Sequence, residues 1–168
     1  SGVLMVDIIE IRDPTNGSWI ELRKQLWPRR DFLEHQTEIK SLVAEPARFT
    51  AFLALSPEGK PIGFAETTLR RDYVNGCESS PAAFLEGIFV IPEFRRVGVA
   101  KRLLEAVERW GQSKGCIELA SDAEIDNIVS HEMHYSLGFK ETFVGEHITD
   151  ISETITSSLI FLASLAHN

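Results

Sequence analysis

The chain has 168 residues and a mass of 18.8 kDa, about one domain's worth and enough to bury a full core without metal or disulfides. Apolar residues make up 43% and charged residues 25%, which excludes a disordered chain, a collagen and a coiled-coil rod. With 17 Lys+Arg against 25 Asp+Glu the net charge is −8, a balance that argues against a nucleic-acid partner and suits a cationic ligand.

Met5–Ile11 (MVDIIEI) alternates and is rich in β-branched residues, which predicts a strand. Ser18-Trp19-Ile20-Glu21 fits a capping box opening a short helix that Pro28 closes. Phe32, Leu33, Ile39, Leu42 and Val43 recur at helical spacing and predict a second helix before Pro46. Phe49–Leu55 and Ile62–Leu69 read as strands joined by the turn Pro57-Glu58-Gly59-Lys60. Arg71–Pro81 is a polar loop, and Ala82–Ile91 (AAFLEGIFVI) is a mostly apolar strand suited to a sheet centre. Val97–Ser113 carries a helical apolar stripe, Ile117–Ala120 is a short strand, and Asn127–Leu137 is a helix closed by Gly138. This order predicts one domain built on a mixed α/β sheet with helices on both faces.

Cys77 and Cys116 lack the paired spacing of a metal site, so no metal is expected. Free thiols in a reducing cytoplasm are the simplest reading. No early basic segment leads into an apolar core and cleavage site, and no stretch is long enough to span a membrane.

The strongest local feature is Arg95-Arg96-Val97-Gly98-Val99-Ala100, between an apolar strand and a helix. Unpaired N–H groups and the dipole make a helix start attractive to anions. Gly98 allows close backbone approach, and Arg95 and Arg96 add positive charge. Val99 is expected to face the core. Neither a Walker loop nor a dinucleotide fingerprint is present. A bland alternative is a helix start flanked by solvated arginines.

Placed after LEGIFVIPEF, this string resembles the [RQ]-x-x-G-x-[GA] pattern of the GNAT superfamily of N-acetyltransferases. The resemblance implies an α/β fold with a mixed, mostly antiparallel central sheet flanked by helices on both faces. It implies acetyl-CoA as co-substrate, its pyrophosphate held by Arg95, Arg96, Val97, Gly98, Val99, Ala100 and Lys101. It also implies backbone contacts to the pantetheine arm from Phe89 and Val90, and a contact from Asn127. Asn127 equally reads as a helix N-cap.

LRKQLWP (22–28), IGFAE (62–66), RDYVNGCESSP (71–81), FLEGIFV (84–90), RWGQSKGC (109–116) and ASD (120–122) are similar to the aminoglycoside 6′-N-acetyltransferases with a DYVNG loop. That likeness implies a polycationic aminoglycoside acceptor, antibiotic resistance and a homodimer. It places acceptor contacts at Trp27, Tyr73, Glu86 and Asp122.

Acetyl transfer to an amine needs a deprotonated amine, a donor for the oxyanion and a proton for the thiolate. Candidate carboxylates are Asp72, Glu78, Glu86 and Asp122. Glu86 interrupts an apolar strand, which is costly unless it faces a cleft or partner. Asp122 ends the next strand, where ligands collect in open α/β sheets. Asp122, slightly ahead of Glu86, is the expected base or amine anchor. Asp72 and Glu78 equally read as solvated loop charges, Asp122 as a cap, and Trp27 and Tyr73 as local packing.

Many GNAT enzymes carry a tyrosine general acid four residues before the Gly of the L-G-F string. That position holds His134, with Tyr135 about 100° further round the helix. His134 is a candidate acid because imidazole titrates near neutrality; water is the alternative.

The order of elements agrees with the family across roughly residues 5–143, and the acetyltransferase domain is expected over residues 3–147. Residues 148–168 depart from the family, lacking the usual aromatic-basic end strand, and read as an atypical tail or an amphipathic helix. The leading reading is aminoglycoside 6′-acetylation. The alternatives are acetylation of another polyamine or small amine, and a non-catalytic acyl-CoA-binding protein.

Overall fold

The computed structural model describes residues 5–71, 77, 80–148 and 155–165. The elements are β1 (Asp7–Glu10), α1 (Gly17–Leu26), α2 (Phe32–Val43), β2 (Phe49–Leu55), β3 (Pro61–Arg70), β4 (Ala82–Val90), α3 (Val99–Ser113), β5 (Glu118–Glu124), α4 (Ile128–Ser136), β6 (Lys140–Ile148) and β7 (Ile155–Ser164). A 3-10 turn over Pro92–Phe94 links β4 to the approach of α3. The strands hydrogen-bond in the order β1-β2-β3-β4-β5-β7-β6. The β1–β2, β2–β3, β5–β7 and β6–β7 pairs are antiparallel, whereas β4 and β5 run parallel. This is the expected mixed, mostly antiparallel α/β sheet.

Two compact units divide the chain, Ser1–Thr68 with Glu86–Arg109, and Leu69–Leu85 with Trp110–Asn168. In the first, Trp19, Ile20, Ile39, Leu53, Ile62, Phe64 and Leu103 are wholly buried. Trp19 stacks on Phe49 with centroids 6.4 Å apart. Burial is nearly continuous along β2 and β3, so both their faces are covered. In the second unit, Leu69, Leu85, Leu119 and Phe161 form the buried centre.

The start of α1 lies earlier than the capping-box reading. Asn16, not Ser18, is the N-cap, its Oδ1 accepting from the Trp19 N–H at 3.0 Å. Asparagine competes well with serine at this position, and Gly17 fits the first turn without obstruction. The α3 helix begins at Val99 rather than Val97, because Arg96 (φ 63°) and Gly98 (φ 92°) break the helical path. Val97 is accordingly exposed, outside the apolar stripe.

The tail or amphipathic helix expected over residues 148–168 is corrected: Ile155–Ser164 within it is strand β7, between β5 and β6. Its register runs from Glu118↔Ser164 to Glu124↔Ser158. Ile155, Thr156 and Ile160 are β-branched, which favours a strand. Ser158, Leu159, Phe161 and Leu165 are buried. A short apolar run buried in a sheet cannot be told from a helix stripe by spacing alone. Strand β6 was also absent from the sequence reading.

Candidate acetyl-transfer site

In the first unit, strand β4 leads through the Pro92–Phe94 turn into Arg95–Gly98 and the first turn of α3. Gly98 needs its positive φ, and a Cβ built there meets nothing within 4 Å. The helix start is thus open, and its leading N–H groups have no intrahelical acceptor. Arg96, Val97, Gly98 and Lys101 are exposed, Ala100 is half-buried, and Val99 faces the core as expected. The cradle fits a pyrophosphate: backbone donors, a dipole end and two exposed cationic side chains.

Arg95 is committed differently. Its Nε donates to the Val90 carbonyl at 2.7 Å, and its guanidinium lies 5.3 Å from the Phe89 ring centroid. It therefore clamps the end of β4 onto the turn. The backbones of Phe89 and Val90 also separate. Ile91 N–H donates to Ile62 O at 2.9 Å, and the Phe89 carbonyl lies 2.7 Å from a Cβ built on Gly63, so both face β3. Strand alternation turns the Val90 groups to the opposite edge.

Glu86 is half-buried on β4, and its Oε1 accepts from Thr68 Oγ1 at 2.7 Å. Thr68 was missing from the sequence reading. The next residue, Gly87, lies against the half-buried indole of Trp27, where an added Cβ would stand 2.5 Å from Cζ2. Only glycine admits the ring at this distance. Trp27 is the C-cap of α1, meets Phe64 edge-on at 5.9 Å, and lies 4.9 Å beneath the Arg23 guanidinium.

Arg23 belongs to a buried polar cluster that the sequence reading also missed. Its Nη1 donates to both oxygens of Glu66 at 2.7 Å, and Trp19 Nε1 donates to Glu66 Oε2 at 2.9 Å. Burial pushes the Glu66 carboxyl up to about 7 against the pull of Arg23 and Trp19.

In the second unit, Asp122 is exposed on β5 and Asn127 caps α4, its Oδ1 accepting from Ser130 N–H at 3.1 Å. His134 is only 3% exposed. One ring nitrogen, Nδ1, faces the Ser130 carbonyl at 2.7 Å, and the other, Nε2, faces Ser121 Oγ at 2.8 Å. A carbonyl only accepts, so Nδ1 carries the proton and Nε2 receives one from Ser121. The ring stacks on Phe161 at 4.3 Å. These contacts describe a satisfied core histidine. The Tyr135 hydroxyl donates to Glu141 at 2.7 Å.

The structure thus gathers Trp27, Glu86, Phe89, Val90 and Arg95–Lys101 in one unit, and Asp122, Asn127 and His134 in the other. Asp72, Tyr73 and Glu78 lie outside the described residues. Among those described, no His, Cys, Asp or Glu cluster has a metal-holding arrangement, and no helix is long and apolar enough to cross a membrane.

Burial lowers the His134 pKa below the usual 6.5, whereas the unfolded residue titrates near ~6.5. Neutral His134 thus contributes stability in full above that value, and the contribution is lost as pH falls towards its folded pKa. Urea titrations between pH ~7 and ~5 should therefore give a shallower acid loss for His134→Gln than for the natural chain. Parallel curves would remove His134 from the acid limb.

A strand leading into an open helix start is suited to an anionic group such as a pyrophosphate. The chain belongs to the Acetyltransferase (GNAT) family, which matches residues 8–139. More particularly, it is 46% identical over 137 residues to aminoglycoside N(6′)-acetyltransferase type 1 of Salmonella typhimurium, covering 82% of this chain and 93% of that one. It is 48% identical over 136 residues to the protein of that name from Serratia marcescens, covering 80% and 92%. A solved aminoglycoside N-acetyltransferase AAC(6′)-Iy in complex with CoA superposes with a TM-score of 0.81 at 42% identity, covering 90% of this chain and 97% of that one. AAC(6′)-Iy in complex with the bisubstrate analogue CoA-S-monomethyl-acetylneamine gives 0.79 at 43% identity, covering 86% and 97%.

Proposed function

We propose that this chain transfers the acetyl group of acetyl-CoA to the 6′-amine of aminoglycosides. The carrying observation is its 43% identity to an enzyme captured with a molecule joining CoA to an aminoglycoside. The open start of α3 supports the same reading on physical grounds. The neutral amine attacks the thioester carbonyl, the N–C bond forms, the C–S bond breaks and the thiolate leaves, while the proton that the acylated nitrogen sheds passes to water.

The first-turn amides of α3, with Arg96 and Lys101, hold the pyrophosphate. Arg95 braces the end of β4 so that the turn keeps its shape. Trp27 offers a flat apolar wall to a sugar ring, and Glu86 holds the ammonium and takes its proton. Deprotonation costs about 1.4 kcal/mol for each unit by which the amine pKa exceeds the pH, within reach of a positioned carboxylate. Asp122 adds negative charge from β5, and Asn127 combines its cap with the pantetheine contact that the family resemblance implies. His134 is left out of proton transfer because both its nitrogens are engaged in the core; water supplies the thiolate's proton. The reading includes a cytoplasmic homodimer, to be weighed by light scattering and cell fractionation, and the buried free thiols of Cys77 and Cys116 suit that compartment.

Thiol release from acetyl-CoA tests this reading with three acceptor sets: aminoglycosides with a 6′-amine, matched drugs with a 6′-hydroxyl, and simple polyamines. Fast release with the first set alone is expected. Release with polyamines alone would transfer the activity to another amine. Tight acetyl-CoA binding without release would leave only a binding protein.

A further inference from the structure

We propose that Arg23 and His35 are positioning residues for the acceptor: Arg23, ion-paired with Glu66, orients His35, and His35 fixes Trp27 against Gly87 beside Glu86. The inference rests on the reading of Trp27 as an acceptor-binding residue.

Trp27 sits at the end of α1 and is followed by Pro28. A side chain at a helix terminus keeps its direction only if its backbone is held, because terminal turns fray. Here both backbone groups of Trp27 are held. Its N–H donates to the Arg23 carbonyl at 2.7 Å, and its own carbonyl lies 3.1 Å from His35 Nε2. Arg23 Nε lies 3.2 Å from His35 Nδ1. A guanidinium only donates, so Nδ1 accepts and Nε2 carries the proton given to Trp27. The chain Glu66–Arg23–His35–Trp27 has one consistent set of proton positions, with His35 neutral. Burial and the neighbouring Arg23 both depress the His35 pKa, in keeping with that state.

Arg23 is 0% and Glu66 1% exposed, so water cannot readily substitute for a lost link. A buried ion pair is seldom a better stabiliser than apolar residues of the same volume. Its distinctive contribution is direction, and this pair directs a histidine whose other nitrogen meets the Trp27 backbone. Arg23 also lies over the indole face. Glu38 completes the charged surroundings, contacting Arg23 Nη2 at 3.1 Å and pairing with Arg30.

The test compares His35→Leu with His35→Gln. Glutamine keeps an acceptor for Arg23 and a donor for Trp27; leucine keeps neither. Steady-state rates are measured with a 6′-amine aminoglycoside and acetyl-CoA varied in turn. Protein labelled with 5-fluorotryptophan gives the fluorine resonance of Trp27, assigned through Trp27→Phe. His35→Leu should raise the acceptor KM and lower kcat/KM by about tenfold or more, the scale of effect that follows a misplaced binding group. The acetyl-CoA KM should stay unchanged and the Trp27 resonance should move. His35→Gln should restore both readouts. If His35→Leu fails to fold, Arg23→Lys is read in the same way, since lysine keeps a charge for Glu66 but lacks the donor to His35. An unmoved Trp27 resonance, an equal rise in both KM values, or failure of His35→Gln to rescue would overturn the proposal. Absence of aminoglycoside turnover in the natural chain would instead overturn the functional reading, leaving the fluorine resonance to decide the positioning.

Discussion

Replacing Glu66 with alanine should destabilise the protein by about 3–5 kcal/mol, the cost of leaving a buried charge without its partner. Arg23 is wholly buried, and its Nη2 has no aligned hydrogen bond despite lying 3.1 Å from Glu38 Oε2. Glu66 therefore supplies most of the compensation for burying the guanidinium, through two contacts of 2.7 Å. Its removal also strips Trp19 Nε1 of its acceptor. Equilibrium unfolding in urea measures the loss as a lower midpoint with little change in slope. The double replacement Arg23→Met with Glu66→Leu should cost much less, because no charge then remains buried. A double variant as unstable as Glu66→Ala would show that packing, rather than an orphaned charge, sets the cost. If it is stable yet binds the acceptor poorly, the pair's two contributions separate: little to folding, much to the placement of Trp27.

The sequence made the order of elements from β1 to α4 legible because each carries its own period or breaker. Ala82–Val90 is an apolar run broken only by Glu86 and Gly87, and Gly138, at φ 93°, follows α4 as an αL cap should. The end of the chain was opaque for a physical reason. Leu159 and Phe161 lie in a strand covered by neighbours, while the spacing of Ile155, Leu159 and Leu162 also fits one helix face. Within the site, Glu86 stood out as an acid interrupting an apolar strand. The same criterion applies to Glu66, which closes the run Ile62–Ala65. Trp19, Arg23 and Trp27 recur every four residues, so a helix-face reading brings Arg23 between two tryptophans. What no spacing rule supplies is the pairing of Glu66 with Arg23, 43 residues apart in the chain. His134 stands at the place of a family tyrosine, while its contacts with Ser121, Ser130 and Phe161, which no spacing rule supplies, engage both ring nitrogens in the core.

For the two candidate bases we propose Glu86 ahead of Asp122, and this leads to the largest expected loss of activity. Glu86→Gln should lower kcat/KM for a 6′-amine aminoglycoside by about 10²-fold or more, the range for removing a positioned acid–base group. Glu86 is half-buried, and Thr68 fixes one of its oxygens at 2.7 Å, so its free-energy contribution is not averaged over many rotamers. Asp122 is exposed on β5, where solvent weakens its pull on a cation. Asp122→Asn should therefore cost less. Thr68→Val should fall between the two, because the carboxylate remains but loses its orientation. Glutamine at 86 keeps the shape beside Gly87 and Trp27, so the acetyl-CoA KM should stay at its natural value while kcat falls. Initial rates of thiol release across pH complete the test. Raising the pH deprotonates the amine without help, so the deficit of Glu86→Gln should narrow towards alkaline pH if this carboxylate takes the proton. A deficit that stays constant with pH would make Glu86 an anchor for the ammonium alone. A larger loss from Asp122→Asn would move the base to β5.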